Sequence, residues 1–309
     1  MMQRLYAEKG IGYNAPMDYA LHLIKDGDGF KMVNDSIVPE ERWEELDRNA
    51  IADTISDFYW VSDFARFFKE HQDFYERKCQ IFDQHILSRF NQKWYTDFYG
   101  NPPLETYAIL LGFINGGCNY GCNRQLPGQP REIFAVLGYA FGDSLTAYET
   151  QPDVYLGILV HEFNHSFVNP LIEDGQMFTE TMGDAGAKLQ QFCEAIMNWQ
   201  AYPEWQNIIN ESIVRAAVIC YLQDQNTADS TIRQAILDEM QVRFVWMPEL
   251  VLKMQEYRHN RNLYPTFDAF YPELVAFFND YADSRNQAIR RITHPTDTEK
   301  PGKSAKRRR

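Results

Sequence analysis

Apolar residues recur at helical spacing from about Glu40 to Phe90, where Phe64, Phe67, Phe68, Phe74, Tyr75, Ile81 and Phe82 mark the pattern. This aromatic ladder, Phe58 to Phe82, reads as core. Asn101-Pro102-Pro103 breaks the chain, and two runs dense in aliphatic and aromatic residues follow, Thr106–Ile114 and Ile133–Phe141, each predicting a strand. Between them Asn115-Gly116-Gly117-Cys118-Asn119-Tyr120-Gly121-Cys122-Asn123 is a turn-prone, glycine-rich loop. Val154–Val168 predicts a helix that Asn169-Pro170 kinks or ends. Further helices are predicted at about Ala185–Trp199, Trp205–Gln223 and Thr231–Arg243, with at least two more between Pro248 and Ser284. No internal repeat or linker interrupts the order. The fold class is α+β, mostly helical, with a small sheet just ahead of the Val154–Val168 helix. One domain is expected over residues 1–285, an early helical part at 40–100 and a second part at 104–285, followed by a basic tail at 286–309.

A chain of 309 residues can bury a full core. Its formal charge is −13; the last ten residues hold six cations and no acid, so the body before them stands at −19. Such a body repels nucleic acid and anionic membrane surfaces. No run of 18 or more apolar residues exists, which predicts no membrane-spanning helix. The start, MMQRLYAEKGIGYNAP, lacks the apolar run of a signal peptide. As read, the chain is cytoplasmic; a trimmed N-terminus would leave a secreted or periplasmic place open. The five cysteines, Cys79, Cys118, Cys122, Cys193 and Cys220, are too few for a disulfide framework in a chain this long. Cys118 and Cys122 are expected as small packed thiols.

The chemistry concentrates at His161-Glu162-Phe163-Asn164-His165. Residues four apart share a helix face, so His161 and His165 can turn two imidazoles to one Zn²⁺ ion. Glu162 is rotated about 100° from His161. Its carboxylate then sits beside an ion-activated water, where it can serve as general base and return the proton to a leaving amine. With only seven histidines in the chain, composition alone would produce this pattern on the order of once in a hundred such sequences. Leu156, Ile158, Leu159, Val160, Phe167 and Val168 flank it, predicting a buried helix on which polar groups require partners or a metal.

A catalytic zinc site takes three protein ligands. A metzincin would carry Gly at 168 and His at 171; Val168 and Leu171 exclude it. No histidine follows His165 before His259, which leaves the acids Glu173, Asp174, Glu180, Asp184, Glu194, Glu204 and Glu211. Glu211 stands mid-helix among Ile208, Val214 and Val218 and is preferred, with Glu180 second. A plain helix pair with Arg215 is its alternative role.

His161-Glu162-x-x-His165 with Glu211 46 residues on resembles the gluzincins. The string HEFNHSFVNP from His161, together with Glu211-Ser212-Ile213-Val214-Arg215-Ala216 and the loop holding Asn119-Tyr120-Gly121, is similar to a bacterial branch of that superfamily. The likeness covers about Thr106 to Tyr221, more weakly Arg261 to Phe267. It implies a zinc peptidase of zincin-like fold with a peptide or protein substrate. Thermolysin-like gluzincins carry, four residues after the ligand Glu, an Asp that orients a histidine. Here that position is Arg215, and Asp184 or Glu180 is left as the orienting carboxylate. The resemblance also implies an edge strand that holds the substrate, supplied by Tyr107–Gly117 or Ile133–Tyr139, where Gly116 and Gly117 would let a backbone come close. Tyr120, Tyr221, His259, Arg261 and Tyr264 are candidates to stabilise an oxyanion. A zincin fold that only binds a peptide or protein, and a metallohydrolase of a non-peptide substrate, are the competing functions. Oligomeric state stays open.

Overall fold

A computed structural model of the chain describes residues 2–100, 105–115, 117–138, 147–173, 182, 184–191 and 204–293. Glu180, Gly116, Cys193 and the tail beyond Thr293 lie outside the described residues. By contact the chain divides into two compact units, Met1–Pro170 and Leu171–Arg309.

The first unit opens with α1 (Met2–Lys9) and α2 (Ala15–Leu21), then a hairpin of β1 (Leu23–Asp26) and β2 (Gly29–Met32). The hairpin turn uses Gly27 at φ +57°, a conformation glycine adopts without a side-chain clash. Trp43 is the centre of this part. It stacks on Tyr19 at 4.5 Å, and its Nε1 donates to the Ala15 carbonyl at 2.9 Å, among Ile11, Met32 and Ile51.

The single helical run expected from Glu40 to Phe90 is broken into α3 (Arg48–Val61), α4 (Phe64–Glu70) and α5 (Gln72–His85). Asp63 at φ +50° makes the first break. The aromatic ladder expected as core is instead largely on the surface: α4 has no buried residue, and of the ladder's phenylalanines Phe82 is buried while Phe58, Phe64, Phe67, Phe68 and Phe74 are exposed. Helical periodicity marks an apolar face but not what covers it. α6 (Lys93–Tyr99) buries Trp94, Tyr95, Phe98 and Tyr99.

The sheet contains β3 (Glu105–Gly112), β4 (Tyr120–Arg124) and β5 (Arg131–Gly138) in the order β3-β5-β4. β3 and β5 are parallel in register Glu105↔Arg131 to Gly112↔Gly138; β4 runs antiparallel to β5, from Tyr120↔Val136 to Arg124↔Glu132. The segment expected as a glycine-rich loop thus holds a third strand. Because β5 is central, the Ile133–Tyr139 run cannot be a free edge; β3 and β4 are the outer strands. After a short α7 (Ala147–Thr150), α8 runs from Pro152 to Glu173. It continues past Pro170, whose missing N–H leaves only the Ser166 carbonyl without its helical donor.

In the second unit residues 184–191 are helical, followed by α9 (Trp205–Asp224), α10 (Asp229–Gln241), α11 (Met247–His259) and α12 (Phe267–Thr293). α9 buries Ile208, Ile209, Ile213, Val214, Ala216, Ala217, Ile219 and Tyr221, so it is apolar nearly all round and forms the centre of this unit. Trp246 Nε1 donates to Ser212 Oγ at 2.8 Å, and Ser212 Oγ donates to the Ile208 carbonyl at 2.6 Å. α12 carries the helix past Asn286, where the polar sequence was expected to fray. The fold is α+β, mostly helical, with two small sheets. Among the described residues no helix is long and apolar enough to cross a membrane.

Candidate metal centre

The back of α8 is held by aromatic side chains of α6. Phe163 is fully buried and meets the rings of Phe90, Tyr95 and Tyr107 at 5.6, 6.1 and 5.2 Å. Phe167 stacks on Tyr99 at 4.3 Å. The Tyr95 hydroxyl donates to the Val160 carbonyl at 3.1 Å, and the Tyr99 hydroxyl to Asn164 Oδ1 at 2.9 Å. Asn164 is fully buried, so this bond satisfies a polar group that would otherwise be costly to enclose. Phe163 and Asn164 fix which way α8 faces, and so fix the opposite, histidine-bearing side.

On that side His161 Nε2 and His165 Nε2 lie 3.1 Å apart, with the rings at 81°. At this distance one ring's Nε2–H can donate to the other's lone pair, or the two lone pairs can together hold a metal ion. Ligand nitrogens about 2.05 Å from one tetrahedral zinc stand roughly 3.3 Å apart, so the spacing fits the metal. His165 Nδ1 is 3.0 Å from Asn169 Oδ1. An amide oxygen accepts, so Nδ1 donates and Nε2 presents its lone pair, the arrangement that metal-ligating imidazoles use. Asn169, one turn beyond His165, is a candidate orienting residue that the motif alone does not mark, although its i+4 spacing is visible in the sequence.

Glu162 is buried on the adjacent face. β4 packs onto its backbone through Gly121: a Cβ at that position would fall 2.3 Å from the Glu162 carbonyl oxygen and 3.0 Å from His165 Cβ. Gly121 thus lets β4 approach α8 closely; Gly117 is exposed. Strand alternation turns Tyr120 and Cys122 to the other face of the sheet, where both pack with Phe134 and Val136. The Tyr120 hydroxyl donates to the Cys118 sulfur, and burial holds its pKa up at about 12. Cys122 is a buried thiol as expected, donating to the Asp18 carboxylate, with its pKa pushed up by burial. Cys118 is exposed, which corrects its expected packing.

Glu211 lies on α9 with 7% of its surface exposed. Arg215 Nε donates to Glu211 Oε2 at 3.1 Å, and Arg215 Nη1 donates to Glu239 Oε2 at 2.9 Å. The guanidinium also lies 4.7 Å from the Phe244 ring centroid. Burial raises the Glu239 pKa, against the opposing pull of Arg215. Arg215 is therefore a half-buried clamp between two acids rather than a solvated surface partner. His161 and His165 on α8 and Glu211 on α9 are the residues that could serve a metal ion as ligands.

The other candidates fall elsewhere. Tyr221 is fully buried in the second unit, about 15 Å along α9 from Glu211. Asp184 is exposed. His259 is exposed at the end of α11. Arg261 donates to the Tyr257 hydroxyl and, at 2.8 Å, to the Pro265 carbonyl. Tyr264 is tied to Glu273.

Fold and site together define a helix-rich α+β protein with two candidate metal ligands, His161 and His165, on α8. The chain belongs to the family described as domain of unknown function DUF4932, whose model matches residues 6–277. No curated protein and no solved structure matches the chain.

Proposed function

We propose that this chain is a zinc-dependent hydrolase that cleaves peptide bonds, with His161, His165 and Glu211 as metal ligands and Glu162 as general base. The observation that carries the reading is the pair of Nε2 atoms 3.1 Å apart, one of them oriented by Asn169. Zinc bound there would supply an acidified water with a pKa near ~7 and a Lewis acid for the substrate carbonyl. Glu162 follows His161 directly, its carboxylate on the next face of the helix, and takes the proton of the attacking water before passing it to the leaving amine. Burial of Glu162 keeps bulk water from competing for that proton. β4 is an outer strand seated by Gly121 on the Glu162 backbone. As an outer strand of the described sheet it could hold an extended peptide by strand addition, and the requirement for backbone pairing favours a peptide over other amides.

The test joins metal analysis to a peptide-library digest. About one zinc per chain is expected, with cleavage that a chelator stops and added zinc restores. Glu162→Gln should abolish cleavage and keep the zinc. Protein that takes up no stoichiometric metal after zinc addition overturns the metal assignment. Activity that survives Glu162→Gln overturns the mechanism.

A further inference from the structure

The surface formed by the end of α3, by α4 and by the first half of α5 takes no part in the metal centre. α4 has seven residues, none buried, yet three are phenylalanines with 38, 46 and 50% of their surface exposed. Val61, just ahead of it, is 89% exposed, and Ile114, beyond β3, is 97% exposed. Ring contacts join the patch without a break, from Tyr59 to Phe64 at 6.2 Å, Phe68 at 6.5 Å, Tyr75 at 5.0 Å and Phe113 at 5.7 Å. The apolar area in the open is on the order of 1,000 Å², from side chains of about 150–250 Å² each. A typical monomer's largest patch is about 300–600 Å².

We infer that this face is the interface of a homodimer, in which α4 and the first half of α5 pack on the same elements of a second copy about a two-fold axis. Three observations select that occupant. The area matches the ~800 Å² that each partner contributes to a standard stable interface. A helix shorter than about 12 residues is marginal in water unless packed. α4 has no buried residue, so a partner that is always present would stabilise it, and a second copy is one. The charges between Asp63 and Arg77 are four acids and three cations, in the order acid, two cations, three acids, cation. A two-fold axis can set each sign against the other, as an isologous contact requires. The same acids oppose an anionic bilayer or a nucleic acid.

The test uses the full chain, by sedimentation equilibrium between about 1 and 100 µM and by hydrogen exchange over the same range. A dimer is expected, with amide protection of residues 61–75 rising as dimer forms. Phe68→Asp should weaken dimerisation by about 100-fold or more, as for a central interface anchor. Leu263→Ser, which removes an apolar side chain 65% exposed in the second unit, should leave it unchanged. A chain monomeric throughout, or a dimer unmoved by Phe68→Asp, overturns the inference. Should Phe68→Asp fail to fold, the exchange data on the unaltered chain decide alone: protection that does not depend on concentration overturns it.

Discussion

Gly121→Ala adds a single methyl group where β4 touches the metal helix. The new Cβ would lie 2.3 Å from the Glu162 carbonyl oxygen, while carbon–oxygen contacts ordinarily begin near ~3.3 Å. About 1 Å of separation has to be found. β4 resists because its five residues are paired with β5, and α8 resists because Phe163 and Phe167 are packed among the α6 aromatics. Overpacking of this kind costs roughly 1–3 kcal/mol of stability. The displaced atoms belong to Glu162 and His165, and a shift of about 1 Å at a catalytic group lowers turnover by about 100-fold. Gly157→Ala is the control in the same helix. Nothing lies within 4 Å of its Cβ, so it should stabilise by about 0.5–1 kcal/mol, the ordinary gain of alanine over glycine in a helix. The assay is urea unfolding of the metal-free variants, followed by zinc affinity from chelator competition and initial rates. A Gly121→Ala protein matching the wild type in stability, zinc affinity and rate would refute the contact and the role given to β4.

Three further outcomes are expected. Asn169→Ala should weaken zinc binding by about 10–100-fold, as loss of an orienting partner does, and Asn169→Asp should restore most of it; equal affinities in all three proteins would remove Asn169 from the site. Glu211→Ala should lower zinc affinity by orders of magnitude, measured beside Glu180→Ala; the reverse ranking would transfer the ligand role to Glu180. Asp18 is held by burial at a pKa of about 6, above its ordinary 3.8, so the folded chain binds more protons than the unfolded one in that interval. Its contribution to stability is fully present below the unfolded value and is lost as pH rises through about 6, by roughly 3 kcal/mol in all. The advantage of Asp18→Asn over wild type in chemical unfolding should therefore grow from pH 4 to pH 7; a constant difference would disprove the linkage.

What the sequence made legible was local. His161, Glu162 and His165 could be placed on one helix because spacing four along a helix is geometry alone, and Glu211 because its apolar neighbours turn it inward. The helices of the second unit are visible as long runs rich in apolar and helix-forming residues, set apart by polar segments such as Asp224-Gln225-Asn226-Thr227. Pairing across the chain was not legible. β3 and β5 are parallel with β4 on the far side of β5, and nothing in Thr106–Ile114 or Ile133–Phe141 distinguishes that order from a hairpin. Gly121 was seen as part of a flexible loop because its function depends on a helix about 40 residues later in the sequence. The exposed face of α4 was hidden differently, since Phe64, Phe67 and Phe68 have the same periodicity whether covered or bare. The β1–β2 hairpin had its signal in Asp26-Gly27-Asp28-Gly29, but the flanking LIKD and GFKM are too short and too mixed to read as strands.

A gluzincin-like site would carry an aspartate where this chain has Arg215, and the surroundings of Arg215 suit a cation there. An aspartate at that position would orient a histidine; His165 is already oriented from its own helix by Asn169, so that task does not fall to residue 215. An aspartate four residues from Glu211 would instead place two like charges on one helix face in a buried setting, raising the cost of ionising either. The guanidinium reverses this. It donates to one oxygen of Glu211, Oε2, and its planar fork reaches Glu239 with a second donor while Phe244 covers its face. The bond to Oε2 fixes the orientation of the Glu211 carboxylate from its own helix. Glu239, buried and raised in pKa, limits how much of the cation's charge is spent on Glu211. With Glu211 and His165 as the proposed ligands, Arg215 and Asn169 would play one part: each holds an atom of the ligand beside the one offered to the metal.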